Sequence, residues 1–303
     1  MGMVRLLQFN ESDSLIACQD APTHQIILDI YPKVVAGGSP RGGSQGGGTI
    51  ITFMYNDGSD GVSAAGWAPY GSVVESFEAR EAVGYSVSLS DAGSTMVLGS
   101  PEASSGSDDD GLLEVGKVAM YVMAGMEWMP TGAEWYGESE GSADGTSVAM
   151  SQDGTVVVVG GKGHNEVDAI SGEVIMSSVG YCRIYKYEGS QLELEHSITG
   201  RAVDERLGSD EAVSLDGSVA ACGGTDGLKD DLVSGVVRLW NRVTMQESAF
   251  WPRGEASNIK GAAFGTALAL SGNGEYVLVG APSWSNTDAG AFAGAVQIFR
   301  SGL

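Results

Sequence analysis

The apolar positions of this chain fall in short runs cut by Gly, Asp and Asn, and the runs return at a fixed spacing. The last copy is the clearest: Gly265-Thr-Ala-Leu-Ala-Leu-Ser271, then Tyr276-Val-Leu-Val, Gly280-Ala-Pro282 and, after a loop, Gly294-Ala-Val-Gln-Ile-Phe299. The same unit begins at Gly84, Gly145 and Gly208. In all four copies the second glycine follows the first by 15 residues, and an aromatic follows the third glycine by five. A worn first copy fits the same ruler from Thr23 through Gly38 and Gly48 to Phe53. The second glycines Gly38, Gly99, Gly160, Gly223 and Gly280 are therefore 61, 61, 63 and 57 residues apart.

Each unit reads as β-strands. The first run is built of Val, Leu, Ala and Ser; the second is Val-rich, as in Val156-Val-Val-Val159; the third alternates, as in Val237-Arg-Leu-Trp240. Asp-Gly and Gly-Asn-Gly between the first two runs supply the positive φ that tight hairpins need. A weaker fourth run carries Trp67, Trp128 or Trp251. Internal repeats of this kind outrank length as a guide to architecture. Four strands in about 60 residues make a blade, and blades stacked radially make a β-propeller. The expectation is one all-β domain, a five-bladed β-propeller over residues 1–303. Its antiparallel blades lie at about 23–70, 84–136, 145–196, 208–252 and 264–303. Too few residues follow Phe299 to make a fourth strand. The apolar run Val4-Arg-Leu-Leu-Gln-Phe9 is therefore expected to close the ring as the outer strand of the last blade, over residues 3–9.

Composition narrows the function. Lys and Arg number 16 against 39 Asp and Glu, a formal net charge of −23. Nucleic-acid binding rests on cations that neutralise phosphates, and anionic membrane surfaces attract basic segments. Both are disfavoured, and a basic, neutral or cationic partner is favoured. No apolar run reaches 18 residues, so no membrane insertion is expected. Met1–Asn10 lacks the long apolar core of a signal peptide. Cys18, Cys182 and Cys222 show no metal-ligand spacing and read as buried thiols.

The pattern Phe264-Gly265, Ala-Leu-Ser271, Val-Gly280-Ala-Pro282 and Gly294-x-Val-x-Ile-Phe299 resembles an FG-GAP repeat. That is the unit of the integrin α head propeller and of many surface proteins. The resemblance extends over nearly the whole chain. It implies recognition or adhesion through one face of the disk, and an extracellular or cell-surface location. Integrin-type repeats often hold calcium in the first turn. Here those turns carry a single acid, Asp91, Asp153 or Asp216, or only Asn273. A hard cation wants six or more oxygens, so no metal and no cofactor is expected.

The variable loops carry the candidate binding residues, because loops on a rigid scaffold present binding groups. They are Asp108, Asp109 and Asp110; Glu166 and Asp168; Asp226, Asp230 and Asp231; and Asp288 beside Trp284, which is expected to be exposed. Converging acids would attract a Lys- or Arg-rich protein. Carboxylate catalysis needs two or three acids together. On the inner strands only Asp210 and Glu211 are acidic, both in one blade, so no catalytic residue is expected. The sequence thus points to a non-catalytic interaction module with a protein partner. A lectin-like carbohydrate binder is the alternative, and a glycoside hydrolase a more distant one.

Overall fold

The computed structural model describes residues 8–9, 15–17, 27–31, 34–58, 65–76, 78, 80–105, 113–229, 232–253, 260–285 and 293–302. Among these residues the chain is all-β, with antiparallel sheets. The first sheet joins Ile27–Tyr31, Val34–Ser39, Thr49–Asn56 and Gly66–Pro69, with Val74–Glu75 also pairing to Thr49–Asn56. The second runs Ser86–Leu89, Thr95–Ser100, Lys117–Ala124, Glu127–Tyr136. The third runs Val148–Met150, Val156–Gly161, Tyr181–Glu188, Gln191–Thr199. The fourth runs Leu207–Val213, Val219–Gly224, Val236–Asn241, Gln246–Phe250. The last has three strands among the described residues, Ala267–Leu270, Tyr276–Ala281 and Ala295–Arg300.

One serine per repeat explains the constant turn between the first two strands. The hydroxyls of Ser90, Ser151, Ser214 and Ser271 accept the N–H of Thr95, Val156, Val219 and Tyr276, at 2.9–3.1 Å. Gly93, Gly154, Gly217 and Gly274 supply the positive φ within each turn.

Successive sheets pack face to face, and each junction holds its own apolar core. Val34, Ile50, Leu89 and Leu98 join the first sheet to the second. Val118, Met120, Val157 and Tyr185 join the second to the third. Val158, Ile184, Ala220 and Cys222 join the third to the fourth. Leu239, Phe264, Val277 and Phe299 join the fourth to the last. The run Val156–Val159 is apolar throughout because its sheet is covered on both faces. Each buried Val contributes on the order of 1.5–3 kcal/mol. The result is β-propeller-like.

The ring closure expected of residues 4–9 is not found among the described residues. Gln8–Phe9 pairs with Leu15–Ala17 in a ribbon of its own, and Ala295–Arg300 is an edge strand. Residues 1–7 lie outside the described set. The cysteines also differ from expectation. Cys182 and Cys222, 40 residues apart, form a disulfide that ties the third sheet to the fourth; Cys18 lies outside the described residues. The replacement pair Cys182→Ala/Cys222→Ala is expected to lose about 2–4 kcal/mol of stability. Thermal unfolding with and without reductant checks this: a wild-type midpoint unmoved by reductant contradicts it.

Candidate active site

The inner strands meet at the junction of the third and fourth sheets, and polar groups gather there. Asp210 and Glu211 lie on Leu207–Val213, the inner strand of the fourth sheet. In the sister repeats the place of Glu211 is taken by Val87, Val148 and Leu268, and that of Asp210 by Ser86, Ser147 and Ala267. Two acids therefore stand where the repeat otherwise packs apolar or small side chains.

Asp210 ties three inner strands together. Its Oδ1 accepts from Ser147 Oγ at 3.2 Å, and its Oδ2 accepts the Leu268 N–H at 2.6 Å. Burial raises its pKa to about 6, against the lowering effect of these donors. Glu211 is different. Its carboxyl is buried against Gly160, where any Cβ would overlap Oε1. Neither oxygen has a hydrogen-bond partner. Burial first, and then the charges of Asp210 and Asp144, hold its pKa well above the carboxylate range. The Ser147 hydroxyl, which bonds Asp210, acts in the opposite direction. The disulfide flanks the site: Cys222 stands opposite Glu211, and Cys182 opposite Gly160.

Asp144 replaces the apolar residue that precedes the first glycine in the other repeats, Val83, Leu207 and Phe264. It accepts from Tyr181 Oη at 2.5 Å and from Trp135 Nε1 at 2.8 Å. Burial still raises it to about 6. Arg183 lies over the Tyr181 ring at 4.1 Å and pairs with Glu138 at 2.6 Å, leaving its Nε and Nη1 without partners. His164 stands against Tyr181, with ring centroids 4.6 Å apart, and burial lowers its pKa.

Lys162 follows the Gly160-Gly161 pair and is half-buried. Burial and the charge of Arg206 lower its pKa, and Glu211 opposes that shift. No carboxylate among the described residues pairs with the Lys162 amine. Arg206 meets Asp226 at 3.4 Å in an exposed pair. The cluster thus sets an unpartnered, buried carboxyl within electrostatic reach of Lys162, a cation that Arg206 repels.

The sequence-predicted loop residues have other roles. Asp168 is an exposed turn cap; its Oδ1 accepts the N–H of Ser171 and Ile170, and these bonds lower its pKa. Glu166 pairs with Met176 in the ribbon Glu166–Val167/Val174–Met176. Asp226 serves Arg206. Trp284 is not exposed: at 9% it sits in the core with Phe264 and Phe299, in a turn where its N–H bonds the Ala281 carbonyl. Asp108, Asp109, Asp110, Asp230, Asp231 and Asp288 lie outside the described residues. Asp210 and Glu211 were legible as the sole inner-strand acids. The mismatch with their sister positions was the signal that set them apart.

The buried acids make a pH prediction. For Asp144 and Asp210 the folded pKa is raised from 3.8 to about 6. The folded chain therefore keeps protons that the unfolded chain has lost. Their contribution is full below about pH 4 and is lost as pH rises to about 6. Glu211 acts in the same direction. Asp153 and Asp216, lowered by their turn bonds although burial opposes it, withdraw stability only in stronger acid. Thermal midpoints should be highest at about pH 4 and fall as pH rises towards 7.5. A midpoint that rises steadily from pH 5 to 7.5 would refute the assignment.

No family model matches the chain, and no curated protein does. Solved structures do share its fold. The structure of a putative 6-phosphogluconolactonase from Bacteroides uniformis superposes with a TM-score of 0.53 at 14% identity, covering 97% of this chain and 80% of that one. Its namesake from Bacteroides fragilis gives 0.49 at 14%, over 98% and 74%. The likeness is one of fold. The neighbour from Bacteroides uniformis carries an enzyme's name, which stands against the expectation of a non-catalytic module and of a chain that is not an enzyme. That expectation rested on a lack of converging inner-strand acids. The structure brings Asp144 and Asp210 within electrostatic reach of Glu211.

Proposed function

We propose that the chain is a hydrolase of a small sugar lactone bearing an anionic group such as a phosphate, acting at the Glu211–Lys162–Arg206 cluster. The observation that carries this reading is Glu211 itself, a fully buried carboxyl with both oxygens unpartnered beside an unpaired Lys162. A group in such surroundings is set up to exchange a proton near neutral pH. The mutual repulsion of Lys162 and Arg206 is relieved when an anion binds between them. The name of the fold neighbour from Bacteroides uniformis, a 6-phospho sugar lactone hydrolase, agrees with both requirements.

In the proposed reaction water adds to the lactone carbonyl, and the ring carbon–oxygen bond breaks. Glu211, which holds its proton, gives it to the departing ring oxygen and takes back the proton released by the attacking water, so the product is a hydroxy acid. Asp210, held by Ser147 and Leu268, keeps its charge beside Glu211 and strengthens it as a base. The test is direct. The purified chain is given δ-lactones of common hexoses, with and without a 6-phosphate, and acid release is followed against the spontaneous rate. Saturable hydrolysis that favours the phosphorylated lactone is expected. Rates equal to the spontaneous ones across the panel overturn the reading.

A further inference from the structure

A serine and a histidine meet apart from Glu211, where the second sheet borders the third. Ser139 Oγ stands 3.1 Å from His164 Nδ1, and both residues are half-buried. The repeat itself requires neither. The residue six before the first glycine is Glu78, Ala202 or Ile259 in the sister repeats, and Ser139 in the third. The residue four after the second glycine is Ala103, Gly227 or Trp284 in the sisters, and His164 in the third.

The scaffold holds both in place. In four repeats the second strand ends in one and the same turn. The N–H of Ala103, His164, Gly227 and Trp284 bonds the carbonyl three residues back, and the carbonyl of each accepts the N–H of Gly116, Gly180, Gly235 or Gly294, at 2.9–3.4 Å. In the third repeat this shared turn carries an imidazole. Its ring rests on Tyr181, whose hydroxyl is held by Asp144. Ser139 has a turn of its own. Its carbonyl accepts the Ser142 N–H at 3.0 Å, while the N–H groups of Gly137 and Gly141 bond the carbonyls of Gly116 and Leu113 at 3.1 Å. Ser139 is also the centre of Gly137-Glu-Ser-Glu-Gly141, directly after the strand Glu127–Tyr136. Gly-x-Ser-x-Gly is a pattern that sets a nucleophilic serine on a turn after a strand. A turn and the strand Val148–Met150 follow here in place of that pattern's helix, so the pairing with His164 carries the assignment.

The charges suit the pair. Burial and the charge of Arg183 hold the His164 pKa below its ordinary value, against the opposing pull of Glu138 and Glu166. The imidazole is therefore neutral at neutral pH and able to take a proton. Glu138, next to Ser139 in the chain, pairs with Arg183 Nη2 at 2.6 Å, which brings the guanidinium to the same turn. The Arg183 side chain is only 8% exposed, and its Nε and Nη1 have no partner.

We propose that Ser139 and His164 are a nucleophile and its base for acyl transfer from small activated esters, with Arg183 the cation beside the developing oxyanion. Ser139 Oγ bonds to the acyl carbon as His164 Nδ1 takes the hydroxyl proton. The ester carbon–oxygen bond then breaks, and the departing alcohol takes that proton from His164. Water, giving its own proton to His164, attacks the acyl-serine, and the serine oxygen recovers the proton as the acid leaves. This pair acts whether or not Glu211 hydrolyses lactones.

The probes are a fluorescent fluorophosphonate, with the labelled residue read by peptide mass mapping, and 4-nitrophenyl acetate. Stoichiometric label on Ser139 is expected, with a nitrophenol burst that matches the chain concentration. Ser139→Ala should lose both. His164→Gln should slow labelling at least ~100-fold, with the thermal midpoints of both variants within about 2 °C of the wild type. Between about pH 7 and about pH 8.5 the wild-type labelling rate should change by less than ~2-fold, because the base is already neutral. Absence of label on Ser139 overturns the proposal. So does a labelling rate that survives His164→Gln. A rate that climbs about tenfold per pH unit overturns it as well, since hydroxide and not His164 would then be the base.

Discussion

Glu211→Gln is expected to lower lactone hydrolysis by at least ~100-fold, the loss typical of a missing acid–base group, with the fold intact. Glutamine has nearly the shape of a protonated glutamate, and burial already holds Glu211 towards that form. The replacement should therefore not lower the thermal midpoint at pH 7.5. It should also flatten part of the decline in stability between pH 5 and pH 7.5. Both follow from the raised pKa, because a buried carboxyl that must ionise above its unfolded value subtracts stability. Lys162→Met should behave differently. It removes a cation from the anion site and not the proton carrier, so KM for a phosphorylated lactone should rise about tenfold with a smaller change in kcat. If Glu211→Gln keeps full activity, Glu211 is not the proton carrier. If Lys162→Met affects phosphorylated and unphosphorylated lactones alike, the cations are not the phosphate site.

Arg238→Met is expected to be the most destabilising single change at the same junction. Arg238 and Glu205 form a buried ion pair at 2.8 Å, with side chains only 7% and 3% exposed. The Arg201 N–H occupies the second carboxylate oxygen of Glu205 at 2.8 Å. Removing the guanidinium leaves Glu205 charged and buried, which costs about 3–5 kcal/mol. For a chain of this size the thermal midpoint should fall by about 5–8 °C. The double variant Arg238→Met/Glu205→Leu separates the pair's own worth from the penalty of stranding its partner. It should recover most of the loss, because no buried charge then remains. A single variant within about 1 kcal/mol of the wild type would show that water reaches Glu205 in place of arginine.

The repeat spacing was enough to place the second to fifth sheets. Gly84, Gly145, Gly208 and Gly265 recur because the chain must turn through positive φ with its backbone pressed against the preceding sheet. Ser90, Ser151, Ser214 and Ser271 recur because each closes the turn that follows. These are local demands, and a chain writes local demands into residue type and interval. Val156–Val159 likewise read as a strand, and the structure covers it on both faces.

Other features depend on neighbours distant in sequence. The spacing of cysteines did not reveal the bond between Cys182 and Cys222, because it depends on two sheets lying face to face. Trp284 reads as a loop residue, yet a core awaits it between Phe264 and Phe299. Glu211 was visible as a lone acid on an inner strand. Its missing hydrogen bonds, its place against Gly160 and its approach to Lys162 arise only when the third sheet packs on the fourth. The physical reason is the same in each case. Turn and strand preferences act over a few residues, whereas desolvation, ion pairing and close packing are set by whichever surface the fold brings alongside.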